Sequence, residues 1–189
     1  EVLIEKAGEI IPQIVEVNKE ARRGKEKKFS MPTRCPECGG PVGKIEEEEV
    51  ALRCLNGLSC PAQRKESIRY FATRRAMNID GLGPSLVDQL VDSKLVEDVG
   101  DLFALKKEKI QELERMADKS AQNAIDAIAT AKKNATLPRL LTALGIPQVG
   151  EVAARILADY AHSLDHLLET PKAKLCGELD EIYRIGPKM

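Results

Sequence analysis

The chain has 189 residues, of which 43% are hydrophobic and 31% charged, and its formal net charge is -1. This hydrophobic fraction is sufficient for one or two packed domains, but no apolar run approaches the ~20 residues that a membrane helix needs. Aromatic residues make up only 3%, which argues against a platform on which single-stranded bases stack. Because the net charge is close to zero, the distribution of charge is more informative than its sum.

The N-terminal residues Glu1-Val2-Leu3-Ile4 read as part of a β-strand. Since no initiator Met or signal peptide precedes them, we interpret the chain as a portion of a longer protein. Two basic stretches follow, and each on its own is as readily a solvated surface as a binding site. The first contains Arg22, Arg23, Lys25, Lys27, Lys28 and Arg34; the second, after four glutamates at 46–49, contains Arg64, Lys65, Arg69, Arg74 and Arg75.

Four of the five cysteines form two close pairs. The first pair lies in the turn Cys35-Pro36-Glu37-Cys38-Gly39-Gly40, and residues 50–53 are expected to form the strand that leads into the second pair. Four thiolates on two turns joined by a short hairpin are the ligand set of a closed structural zinc site. We therefore predict that Zn²⁺ is bound, without a catalytic role, by Cys35, Cys38, Cys54 and Cys60.

Two disulfides are the alternative for these cysteines, but the sequence shows no sign of the secreted context in which disulfides persist. A redox CxxC motif normally opens a helix after a strand, whereas Pro36 and the two following glycines indicate a turn. The fifth cysteine, Cys176, is interpreted as a half-buried free thiol.

The rest of the chain is predicted to be helical and to repeat. Tight turns end at residues 83, 117, 150 and 186, so the intervals are 34, 33 and 36 residues, which indicates an internal repeat. Each unit consists of a helix, a turn of the type Gly-apolar-Gly and a second helix. Helices are expected at residues 67–77, 85–93, 119–132, 140–144 and 151–160.

These turns have the features of a phosphate clamp. Glycine accepts positive φ and lets backbone N–H groups approach a ligand, and the N-terminus of the second helix favours an anion. The middle apolar residue of each turn is expected to pack between the paired helices; these residues are Leu82, Met116, Val149 and Ile185. One such turn would more often be a plain glycine-capped helix end, but four at a regular interval favour phosphate binding.

The second and fourth units depart from the pattern. Arg115 and Ala117 occupy the glycine positions of the second unit, and because alanine is strained at positive φ, we expect a slightly different turn there. Lys119 and Ser120 would still offer a charge and a hydroxyl to a phosphate. The fourth unit has Arg184 at its first position and stops at Met189, before a second helix.

Tetratricopeptide and ankyrin repeats share this period, but their signatures are absent. The chain has no Trp and no Thr-Pro-Leu-His, and its glycines lie at the turn between paired helices. It also lacks a Walker phosphate loop and a three-glycine dinucleotide fingerprint. A helix-hairpin-helix array is therefore favoured.

Several segments resemble bacterial NAD-dependent DNA ligases. Residues 31–38, 53–56 and 60–63 resemble the zinc finger of that family, and residues 78–83, 119–123 and 143–151 resemble its helix-hairpin-helix domain. Residues 6–13 look like the last part of its OB-fold domain. The resemblance covers essentially the whole chain, in the family's order, and the second hairpin, usually richer in glycine, is the main departure.

The resemblance implies a ligase that seals nicks in duplex DNA in replication and repair. An adenylylation domain, which transfers AMP from NAD to a lysine, and a further C-terminal domain would lie in cis, with NAD and Mg²⁺ serving only the full-length enzyme. The segment Asn78-Ile79-Asp80-Gly81 echoes the nucleophile motif but has Asn in place of the lysine. We therefore expect this chain to have no catalytic residues, to be inactive alone, and to act as a cytoplasmic monomer without a membrane partner.

The predicted fold is mainly α. Residues 1–32 are expected to be the C-terminal remnant of an OB fold with a linker, 33–66 a four-cysteine zinc finger, and 67–189 a tandem helix-hairpin-helix domain with a truncated fourth motif. Hairpins would contact phosphates on both strands across the minor groove, independently of sequence. The expected DNA contacts are Gly81, Leu82, Gly83, Ser85, Lys119, Ser120, Gln148, Val149, Gly150, Ile185, Gly186 and Lys188.

In this arrangement the zinc finger would be a rigid spacer, and Arg64, Arg69, Arg74 and Arg75 would add positive charge.

Two alternatives from other functional classes remain. A non-enzymatic repair or recombination protein uses the same type of array as a binding module. A zinc-stabilised protein-interaction scaffold predicts no affinity for DNA.

Overall fold

The computed structural model describes residues 1–8, 10–172 and 174–175. The chain divides into two compact units, Glu1–Thr33 and Arg34–Met189. In the described part no helix is long and apolar enough to cross a membrane.

The first unit contains an antiparallel hairpin of strands β1 (Val2–Ala7) and β2 (Ile11–Val17), with an irregular register between Leu3 and Ile4. The strand expected at the N-terminus is therefore present. Large apolar side chains on both strands are exposed, including Leu3 at 60% and Ile11 at 69%. A two-stranded hairpin that buries so little apolar surface is at best marginally stable alone and requires packing against further structure.

The second unit begins with a small β-structure around the cysteines. Strands β3 (Val42–Gly43) and β4 (Arg53–Cys54) pair antiparallel, and an isolated bridge joins Arg34 to Pro41. Of the strand predicted at 50–53, only Arg53 lies in β4, and residues 50–52 are not in a strand. A 3₁₀ turn at Gly57–Ser59 leads into the helical part.

Seven helices follow in the described part, which confirms the mainly α prediction. They are α1 (Pro61–Ala72), α2 (Pro84–Asp92), α3 (Lys107–Gln111), α4 (Asp118–Lys133), α5 (Leu137–Ala143), α6 (Glu151–Ala161) and α7 (Leu164–Glu169). Helices α2, α4, α5 and α6 correspond to predicted helices. The short helices α3 and α7 were not predicted, because five or six residues are too few to show helical periodicity.

Helix α1 starts and ends earlier than the predicted 67–77. Pro61 occupies its first turn, where a missing N–H is not needed, directly after Cys60. The chain leaves the helix at Thr73, and the N–H of Met77 then donates to the carbonyl of Phe71. The boundary predicted between residues 66 and 67 therefore lies inside one continuous helix, and the proposed three-part division remains a prediction.

The core lies between α1, α2 and α4. Phe71, Ile68, Leu90, Leu102 and Ile110 are its largest fully buried side chains. The rings of Phe71 and Phe103 meet edge to face with centroids 6.1 Å apart. A smaller cluster contains Leu141, Ala154 and Ala158 and packs α5 against α6.

We expect Phe71→Ala to lower the free energy of unfolding by about 3–5 kcal/mol, because it leaves a cavity in a core that cannot fully collapse. Urea denaturation followed by circular dichroism measures this change. The exposed Tyr70→Ala, on the same helix, serves as a control with a smaller effect, since Tyr70 is 40% exposed. Equal effects of the two substitutions would contradict this account of the core.

Candidate zinc centre and nucleic-acid interface

The four predicted zinc ligands lie together. Their Sγ atoms all lie within 4.8 Å of one another, with 4.0 Å between Cys35 and Cys60 and 3.5 Å between Cys38 and Cys54. A tetrahedral Zn²⁺ with Zn–S bonds of about 2.3 Å places its sulfurs roughly 3.8 Å apart. A disulfide would need about 2.05 Å, and all four cysteines are free thiols. The tetrad therefore fits structural Zn²⁺, as predicted, and contradicts the disulfide alternative.

The first cysteine turn is closed by backbone hydrogen bonds. The N–H of Cys35 donates to the carbonyl of Gly40 at 2.8 Å, and the N–H of Gly39 donates to the carbonyl of Cys35 at 2.9 Å. Gly39 has φ +69°, which favours glycine. A Cβ on Gly40 would lie 3.0 Å from the Cβ of Asn56 and 3.2 Å from the Sγ of Cys38. Both glycines are thus needed to wrap the chain around the ligands.

The second pair of cysteines is held against the first turn and the start of α1. The side chain of Gln63 donates to the carbonyl of Cys54 at 2.8 Å, and Asn56 Nδ2 donates to the Sγ of Cys38 at 3.6 Å. Cys60 is only 1% exposed and is the N-cap of α1. A metal at this site therefore fixes the first turn of that helix.

The thiols of Cys38 and Cys54 have different pKa values because their surroundings differ. The backbone N–H of Gly40, which donates to Sγ at 3.4 Å, lowers the pKa of Cys38 to about 7. The backbone N–H of Asn56 lowers that of Cys54, but burial and the neighbouring thiols outweigh it and raise the pKa of Cys54 to about 11. Because the ligands must be thiolates, Zn²⁺ binding here displaces protons.

The three described hairpins share one backbone geometry. The residue that opens each turn has positive φ: +80° at Gly81, +60° at Arg115 and +67° at Gln148. The residue that ends it is the extended N-cap of the following helix. At Gly83 and Ala117 the φ,ψ angles are -75°, 169° and -75°, 168°.

The expectation that Ala117 strains the second turn was therefore wrong. Positive φ falls two residues earlier, on Arg115, where a non-glycine residue costs about 1–2 kcal/mol. Ala117 has an ordinary extended conformation that matches Gly83. The second hairpin is thus equivalent in backbone shape to the first.

The apolar residues in the middle of the turns pack inward, as expected. Leu82 is 7% exposed and belongs to the main core, Met116 packs against that core, and Val149 packs against the smaller cluster. Ile185 lies outside the described residues, as do Gly186, Lys188 and Cys176.

The N-termini of α2, α4 and α6 carry no side-chain cap in the described structure. The N–H groups of a first helical turn have no partner within the helix. Residues on this edge are solvent-exposed; the predicted contacts among them are Gly81, Gly83, Ser85, Lys119, Ser120, Gln148 and Gly150. The three helix ends therefore present free donors to an anion.

The second basic stretch is only partly available. Arg64 Nε donates to the carbonyl of Leu58 at 3.1 Å, Lys65 pairs with Asp92, and Arg69 pairs with Glu66 and Asp88; these contacts are internal. Among the described residues, Arg74 and Arg75 have no acidic partner within ion-pair distance. Of the four arginines expected to add charge, these two remain unpaired.

Two further arginines join them and were missed by sequence analysis. Arg139 donates to the carbonyls of Ala76 and Arg74 at 2.9 and 3.1 Å. Arg155 lies one turn into α6 and lines the same cavity as Arg74 and Arg75. Arg139 lies 63 positions along the chain from Ala76, whose carbonyl it contacts, and Arg155 lies farther still. No local sequence pattern therefore indicates that these arginines cluster with Arg74 and Arg75.

Comparison with known families matches three segments. The NAD-dependent DNA ligase C4 zinc finger domain matches residues 34–62, which include all four cysteines. A SAM-like helix-hairpin-helix tandem matches residues 74–130, and a helix-hairpin-helix motif matches residues 139–189. The zinc finger and the hairpins are thus matched in the order in which the structure places them.

Similar proteins named DNA ligase cover essentially the whole chain. Those of Halothermothrix orenii and Bacillus subtilis are 50% and 48% identical over 186 and 188 residues, and that of Methylococcus capsulatus is 47% identical over 186 residues. The alignments cover 98–100% of this chain but only 27% of each relative. Over essentially its whole length the chain is therefore similar to a region that spans about 27% of these DNA ligases, and its segments match the zinc finger of the NAD-dependent ligases and the helix-hairpin-helix motifs.

Proposed function

We propose that this chain is the DNA-gripping region of an NAD-dependent ligase, and that it binds a duplex through its phosphates without joining strands itself. The supporting observation is the repeated geometry of the hairpins at Gly81, Arg115 and Gln148, each followed by an uncapped helix end. Three equivalent anion sites on one array favour a polyanion with regularly spaced charges over a single small ligand.

The hairpin glycines support close approach of a ligand. Gly83 and Gly150 have negative φ, and a Cβ added to either would meet nothing within 4 Å. The fold therefore does not require glycine at these positions. Close binding of a phosphate to the backbone N–H groups does require glycine there, because a side chain would hold the phosphate away.

Backbone N–H groups that contact phosphates read no base edges, so binding should be independent of DNA sequence. In the proposed complex, hairpins contact both strands across the minor groove. A nicked duplex is the intended ligand, and the chain acts as a monomer. Ile185, Gly186 and Lys188 would add a fourth contact of the same kind.

The zinc finger would orient this array. Its last ligand, Cys60, is the N-cap of α1, and α1 leads directly into the first hairpin. In the full-length enzyme, an adenylylation domain supplied with NAD and Mg²⁺ would act in cis on the nick that this region holds. Residues 1–32 would be the end of the OB-fold domain and its linker, ahead of the zinc finger at 33–66 and the hairpin domain at 67–189.

Fluorescence anisotropy with a nicked duplex tests this function. Affinity should fall between 50 and 200 mM salt, and the slope of log affinity against log salt gives the number of phosphates that the chain neutralises. Two nicked duplexes of unrelated sequence should bind with dissociation constants within about twofold of each other, because phosphate contacts carry no base information. Folded, zinc-loaded protein that does not bind at 50 mM salt would refute the proposal and favour the scaffold alternative.

A further inference from the structure

A cationic cavity lies between the first and third hairpin units. It has a volume of about 440 Å³ and is bordered by the loop after α1, by α5 and by the N-terminal half of α6. Four arginines and one carboxylate line it: Arg74, Arg75, Arg139, Arg155 and Glu151. The cavity therefore carries a clear excess of positive charge.

The loop that carries two of these arginines is anchored. The guanidinium of Arg139 donates from Nε to the carbonyl of Ala76 at 2.9 Å and from a terminal nitrogen to the carbonyl of Arg74 at 3.1 Å. Ala76 is itself fully buried. The backbone from which Arg74 and Arg75 project is thus held against α5 before any ligand arrives.

Among the described residues, the arginines in the cavity have no acidic partners, unlike the basic residues earlier on α1. Lys65 and Arg69 each pair with carboxylates of α2, whereas in the described structure no carboxylate lies within ion-pair distance of Arg75 or Arg155. Glu151, the one acidic group lining the cavity, makes no ion pair there either. Clustered like charges repel each other, and an anion would relieve that repulsion.

The cavity continues toward the third hairpin. A neighbouring groove of about 530 Å³ shares Arg75 and Glu151 with it and reaches Gln148 and Gly150. A ligand strand at the N-terminus of α6 could therefore extend into the arginine cavity. Because the cavity is continuous with the hairpin groove, we associate both with the same polyanion. A site for an unrelated ligand would not need this continuity.

We propose that this cavity is a second type of phosphate site, in which Arg75 and Arg155 bind a DNA backbone phosphate adjacent to the one at the third hairpin. This inference rests on the proposed DNA-binding function and adds charged contacts to the neutral ones of the hairpins. Arginine suits the role because its planar guanidinium binds phosphate in a bidentate manner. Glu151 opposes the phosphate and weakens the site.

Charge-changing variants of the whole 189-residue chain test the site. Arg75→Gln and Arg155→Gln should each weaken binding to a nicked duplex by about tenfold at 50 mM salt, as expected for one lost charge-assisted contact. Each should also reduce the slope of log affinity against log salt by about 1. Lys133→Gln, at the C-terminal end of α4 and outside the lining of both grooves, removes the same charge and should change neither quantity.

Glu151→Gln gives a result of opposite sign. It should tighten DNA binding by several-fold, because it removes the carboxylate that faces the phosphate. Thermal stability should fall slightly, since an acidic residue in the first turn stabilises a helix. Tighter binding together with a lower Tm cannot result from a purely structural role.

The outcomes separate this inference from the function on which it rests. If hairpin variants weaken binding but the arginine variants leave the slope unchanged, the inference fails and the function stands. If the unaltered chain binds no DNA, both fail. An NMR titration with inorganic phosphate distinguishes the source of the anion: shifts around Arg75 and Arg155 without any DNA effect would make this a free-phosphate site and overturn the proposal.

Discussion

Replacing both Gly83 and Gly150 with valine should weaken binding to a nicked duplex by about 100-fold, the equivalent of two lost contacts of about 1.4 kcal/mol each. The fold should persist, because φ is -75° and -83° at these positions and an added Cβ meets no neighbour within 4 Å. The branched side chains would stand where the phosphates approach the N–H groups of α2 and α6. Anisotropy measures the affinity, and circular dichroism the helix content.

Two controls sharpen this test. Thr136→Val places the same side chain at the N-cap of α5, which is also extended and without a side-chain cap but does not follow a hairpin turn, and it should leave affinity unchanged. The double alanine variant should lie between wild type and the valine variant, because Ala117 already occupies the equivalent position in the second hairpin. Unchanged affinity of a folded valine variant would rule out the hairpins as the phosphate contacts.

Cys54→Ser should abolish zinc binding while leaving the hairpin domain folded. Structural zinc sites contribute about 10–16 kcal/mol of apparent binding free energy in zinc-finger peptides, and three thiolates with one hydroxyl cannot retain it. The main core, from Ile68 to Ala143, contains none of the four ligands. Zinc content should therefore fall from about one ion per chain to near zero, with most helical circular dichroism retained.

Hydrogen exchange shows which parts of the fold are destabilised by the loss of zinc. Protection should disappear across the cysteine turns and the first turn of α1, because Cys60 is the N-cap of that helix, and should remain at Leu90 and Ile128, which are buried in the main core. Cys176→Ser makes the same substitution outside the tetrad and should keep the zinc. Full zinc content in the Cys54 variant would contradict the assignment of Cys54 as a ligand. Global unfolding on zinc loss would contradict the expectation that the hairpin domain is stable without the metal.

The zinc site and the hairpin period could be predicted because both are local. The spacing of Cys35 and Cys38, with Gly39 behind them, restricts that segment to a ligand turn before any tertiary contact forms. The repeat appears in sequence because each unit needs an apolar residue in its turn to pack between its own helices. Leu82 and Met116 pack in the main core, and Val149 packs against the smaller cluster of its own helix pair.

Tertiary structure decided which residue in each turn takes positive φ and which basic residues are free. In the folded structure the strained conformation lies on Arg115 and Ala117 is extended, although the sequence pattern suggested the reverse. The carboxylates of α2 neutralise Lys65 and Arg69, while Arg75 meets Arg155 only after α5 and α6 fold back onto the loop after α1. The sequence by itself therefore determined the metal ligands and the repeated hairpins, since their information lies within a few residues. The charged surface was determined only by the fold, because electrostatic pairing depends on distance in space and not on distance along the chain.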